Sequence, residues 1–82
     1  MTIEGKIVGF DRSSDEIAVE LDLPSHLLDC VKSIVNVPSS DPDLIGTYKL
    51  NETQVRRIAE TTHLAFEPTR FAYFLEGRET AQ

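Results

Sequence analysis

Eighty-two residues, 40% of them hydrophobic and 27% charged, describe one ordinary small globular domain and exclude a disordered chain. A chain of this length buries little more than about 60% of its unfolded surface, so it has scant interior for a deep substrate cavity. The net charge of −6 disfavours direct binding to nucleic acid or to an anionic membrane surface, since both are held by Lys and Arg.

Lys6 to Phe10 reads as a first strand, and Asp11-Arg12-Ser13-Ser14-Asp15 as a polar turn. The next run alternates with a period of two. Ile17, Val19, Leu21 and Leu23 fall on one face, and Ala18, Glu20 and Asp22 on the other, which predicts a half-buried strand with a wet acidic side. The short polar connection makes the two strands a hairpin.

Pro24-Ser25 opens a helix, in which Leu27, Leu28, Val31, Ile34 and Val35 form one apolar stripe of 3.6-residue period. Cys30 lies at the margin of that stripe and is expected to behave as a small buried hydrophobe, because Asp29 beside it opposes a reactive thiolate. Asn36-Val37-Pro38 ends the helix, and residues 39–43 form a polar loop with Asp41 and Asp43 at its tip.

Ile45 to Leu50 is expected to be a third strand. Asn51 with Gln54 makes a capping-box pattern that starts a second helix, burying Val55, Ile58, Ala59 and Thr62 and spacing Arg56 to pair with Glu60. That helix ends near His63, whose side chain would complement the helix dipole. Phe71 to Leu75 is too short to separate strand from helix by period, but its aromatic content favours a final strand packed into the core. The expected fold is therefore α+β, in the order β-β-α-β-α-β. A mostly antiparallel sheet of three to four strands carries two helices on one face. One domain spans residues 1–77, with a frayed tail at 78–82.

Catalytic patterns are missing from the sequence. Four scattered glycines make no phosphate loop, and neither a GxSxG nor an HExxH pattern occurs. A general base must lie within hydrogen-bond reach of its proton, and nothing in the spacing of His26 and His63 arranges that. Asp41-Pro42-Asp43 supplies too few ligands for calcium. The single cysteine excludes an internal disulfide and a thiolate-rich zinc site. No cofactor, metal or enzymatic activity is expected. No apolar run approaches the roughly 20 residues of a membrane span, and MTIEGKIVGF lacks the features of a secretory signal, so the expected location is the cytoplasm.

The charge is unevenly placed. Nine of the fourteen acids but only three of the eight Lys and Arg residues lie within residues 1–45. A basic protein is the electrostatically matching partner for that half.

The opening KIVGFDRSSDEIAVELDLP, together with YKLNETQVRRIAE and FEPTRFAYFLEG, resembles small acidic immunity-type proteins of bacterial polymorphic toxin systems, contact-dependent growth inhibition among them. Those stretches cover most of the chain. The resemblance implies a protein that binds a cognate toxin domain, commonly a nuclease, and covers its basic active site. An acidic inhibitor occupies such a surface as a polyanion mimic. On that reading the contact acids are Asp11, Asp15, Glu16, Glu20 and Asp22 on the hairpin, with Asp41 and Asp43 on the loop. The alternative is a small regulatory or adaptor module that binds another protein or itself through a strand edge. The oligomeric state is left open by the sequence.

Overall fold

Alternation along the first strand sets the architecture. In β1 (Thr2–Asp11) Ile7 is fully buried, and Gly5 and Gly9 flank it two residues away on the same side, while Lys6, Val8 and Phe10 point to the other side. The computed structural model describes residues 2–41 and 44–80. After β1 come β2 (Ile17–Asp22), α1 (Leu28–Val35, led in by a 3-10 turn over Ser25–Leu27), β3 (Tyr48–Lys49), α2 (Glu52–Thr62) and β4 (Phe71–Thr80). The sheet has four strands in the order β2-β1-β4-β3, and every neighbouring pair is antiparallel. This is a small α+β fold with the expected order of elements.

One side of the sheet holds the core. Ile7, Phe71, Tyr73 and Leu75 from the strands meet Val31 and Val35 of α1 and Val55 and Ile58 of α2 in a single cluster, which Leu23, Leu44 and Leu50 complete from the connections. Both helices therefore cover the same face. Burying each such side chain is worth about 1.5–3 kcal/mol, which drives the layers together. Close approach depends on the glycines of β1. A Cβ at Gly5 would collide with Leu28 and crowd Leu23, and one at Gly9 would stand 2.9 Å from the Tyr73 ring.

Several local expectations are corrected. The third strand is two residues long rather than six. Leu44 takes a left-handed backbone conformation (φ 53°), and the amides of Ile45 and Gly46 bond to the Asp41 side chain instead of a strand. Ile45 is consequently 88% exposed. The last strand runs to Thr80 rather than Leu75, because β1 pairs with it from Asp11↔Phe71 to Thr2↔Thr80. Residues 81–82 lie outside the described residues.

Ile17 leaves the row of Val19 and Leu21. A bulge sets Gly9 opposite Val19 but Phe10 opposite Ile17, so the alternation slips by one residue at Ala18 and Ile17 stands on the side of Phe10, 58% exposed. Cys30 is exposed rather than buried, since Val31 and Val35 centre the covered stripe of α1 and Cys30 turns away from it. Arg56 pairs with Glu52 at 3.6 Å, not with Glu60; the acid on the N-terminal side is the better i,i+4 orientation.

Candidate protein-docking face

Opposite the helices, no element among the described residues covers the sheet. Its centre is apolar. Phe10 on β1 and Phe74 on β4 meet edge to face, with ring centroids 5.4 Å apart and planes at 85°. Val8 lies directly across from Phe74 and is 1% exposed although it stands outside the helix-side cluster, so side chains of the open face cover it. Ala72, opposite Phe10, completes the floor. The final aromatic run thus divides by alternation: Phe71 and Tyr73 belong to the core, and Phe74 to this second, shallower layer.

Charges surround that centre. At one end Lys6 reaches Glu20 of β2 at 3.1 Å and Glu76 of β4 at 4.0 Å, and Asp22 is its cross-strand partner. One lysine among three carboxylates leaves this end acidic. At the other end a concavity of about 450 Å³ opens between Phe10, Ala72 and Phe74, walled by Asp11, Arg12, Asp15 and Lys49. Arg12 is fixed there by its Nε, which donates to the carbonyl of Pro68 at 3.1 Å.

The seven acids expected at a contact separate into groups. Glu20 and Asp22 share the open face, and Asp15 and Glu16 are exposed at the hairpin end. Asp15 has a left-handed backbone (φ 58°), and its amide closes the turn on the carbonyl of Asp11 at 2.8 Å. Asp11 is largely occupied with the same turn, accepting from the Ser13 hydroxyl at 2.6 Å and the Ser13 amide at 2.8 Å. Those bonds hold its carboxyl below the ordinary carboxylate range, the hydroxyl having the largest effect.

Asp41 is far from the hairpin in sequence and serves its own loop. It accepts from the Tyr48 hydroxyl, from Gly46 N at 2.9 Å and from Ile45 N at 2.8 Å. The Tyr48 hydroxyl is the main cause of its lowered pKa, and the same bond raises that of Tyr48. Asp43 lies outside the described residues. Phe10, Ile17 and Phe74 were not expected at the surface; the alternation Phe71-Ala72-Tyr73-Phe74 was the available signal for the last.

His26 and His63 are both exposed, and His63 acts through its backbone as the left-handed C-cap of α2 (φ 61°). Among the described residues no three His, Cys, Asp or Glu side chains are grouped to hold a metal ion, and no helix is long and apolar enough to cross a membrane.

The protein is thus a small α+β domain with one face of its antiparallel sheet left open around an aromatic pair. It belongs to DUF7683, a domain family of unknown function, whose model matches residues 5–76. Comparison with curated proteins and with solved structures finds no match.

Proposed function

We propose that this chain is a non-catalytic binding protein that neutralises a cognate toxin domain, meeting it with the open sheet face and the acids of the first hairpin. The observation that carries the binding reading is the aromatic centre of that face, Phe10 against Phe74 over Val8, with charged residues around it. Interfaces that bind tightly have this make-up, an apolar and aromatic middle inside a polar rim. The acids Glu20, Asp22, Asp15 and Glu16 give the β2 side a negative field, which speeds encounter with a basic partner such as a nuclease active site. The choice of a toxin as partner follows from the likeness of the three sequence stretches to immunity-type proteins.

Co-expression tests this reading. A toxin domain encoded beside this gene is the expected partner; it should arrest growth when expressed alone and fail to do so when this chain is present. The double variant Phe10→Ala with Phe74→Ala should abolish rescue and weaken the purified complex by about 30-fold or more, the effect of removing a hot spot of about 2 kcal/mol. A toxin equally lethal with and without the wild-type chain refutes the neutralising role. Full binding by the double variant moves the interface off this face.

A further inference from the structure

The two edges of the sheet are unlike. β3, at one edge, is only two residues long, and Lys49 is one of them. Such an edge offers almost nothing to another strand. β2, at the other edge, has six residues, contains no proline or lysine, and pairs with β1 alone.

The ladder to β1 shows which backbone groups of β2 remain free. Leu23 N donates to the carbonyl of Gly5 at 2.9 Å, which makes Gly5 and Leu23 a hydrogen-bonded pair. Antiparallel pairs alternate, so Ile7 with Leu21 and Gly9 with Val19 are the further bonded pairs, and the N–H and C=O groups of Glu20 and Asp22 point out from the edge. The side chains of these same two residues stand on the open face.

Self-pairing through these groups is opposed by charge. Outward-pointing residues must pair with outward-pointing residues, so an antiparallel second copy that pairs along the regular ladder, clear of the bulge at Ala18, would set Glu20 opposite Glu20, Glu20 opposite Asp22, or Asp22 opposite Asp22. Each register puts a carboxylate directly across from a carboxylate, which is destabilising. A strand with Lys or Arg at those positions reverses the sign of the interaction. Between its two bases such a strand would carry an apolar residue, because its helix-side neighbours are the half-buried Val19 and Leu21.

We infer that β2 is a docking edge for an extended basic-apolar-basic segment of a protein partner, which adds to the sheet as a fifth strand beside Glu20 and Asp22. The inference rests on the reading of this chain as a protein-binding module and supplies its mode of attachment. Main-chain bonds provide affinity, and the two acids select the sequence.

The chain itself can furnish the test strand. The full-length variant Glu20→Lys with Asp22→Lys carries a basic edge of matching twist. In the register that sets residue 20 against residue 22, it places a lysine across from each wild-type acid. Wild type alone and variant alone should sediment as monomers, and an equimolar mixture should form a dimer that high salt dissociates. In labelled wild type, the amides of Glu20 and Asp22 should exchange at least about tenfold more slowly on adding the variant, whereas those of β3 should be unchanged. A synthetic heptapeptide alternating lysine and valine gives the same readout if the variant fails to fold, with its glutamate counterpart as the control.

Unslowed exchange with both basic probes, or slowing by the glutamate peptide as well, overturns the inference. Wild type that dimerises alone with these amides protected makes a second copy the occupant and overturns it too. Because no toxin enters either arm, the result stands apart from the outcome of co-expression.

Discussion

Gly9 shows how closely one residue can bind the sheet to its core. The Tyr73 ring lies over it, so an added Cβ would stand 2.9 and 3.2 Å from ring carbons and 3.4 Å from the Cβ of Val19. The ring cannot withdraw freely, because its hydroxyl accepts from Glu67 N at 2.8 Å and it packs edge to face with Phe66, centroids 5.0 Å apart. Gly9→Ala should therefore destabilise the fold by about 1–3 kcal/mol, measured by urea denaturation, despite alanine's better strand propensity. Asp41 is the second residue with a definite signature. Its folded pKa lies below the ordinary 3.8, so its stabilising effect is complete above that value and fades as pH falls through the folded one. Tyr48 acts in the opposite sense: its pKa is raised above 10.0, so the contribution of the same bond is complete below that value and fades as pH rises through the folded one. Asp41→Asn should lower the melting temperature at neutral pH and flatten its decline below pH 4. Some acid dependence should survive through Asp11, whose pKa is lowered as well.

The second helix and third strand illustrate what local sequence can and cannot convey. The start of α2 was legible because its signal is self-contained: Asn51 accepts from Gln54 N at 2.8 Å, and Gln54 accepts from Asn51 N at 2.9 Å. Asn51→Ala should cost about 1 kcal/mol in thermal or chemical unfolding, with the rest of the helix intact by circular dichroism. Ile45 was misread because its neighbours resemble a strand, while its conformation is set by Asp41 four residues upstream. No periodicity records such a bond. Ile17 failed for a related reason. Its place in the Ile17-Val19-Leu21-Leu23 row holds only if the ladder has no bulge, and the bulge is a property of pairing with β1. Even the Arg56 pair depended on choosing between two acids at equal spacing, Glu52 and Glu60.

For the molecule as a whole, the sequence revealed which side of each strand is wet but not what the wet sides make together. Val8, Phe10, Ala72 and Phe74 come from the two ends of the chain and become one patch only through the β1–β4 register. The acids were legible as a group, yet their groupings were not: Glu20 and Asp22 line a free edge, whereas Asp11 and Asp41 maintain the turn and loop that carry them.

That register also dictates when the domain can come into being. The two central strands are the first and last elements of the fold, and their ten paired positions are its longest ladder. Throughout synthesis, β1, β2 and both helices emerge before the strand that pairs with the other edge of β1. The hairpin must wait with one side of β1 unpaired, since no local contact can substitute for β4. Folding is therefore expected as a single late event, after Phe71 to Leu75 leave the ribosome, rather than as a progression from the N-terminus.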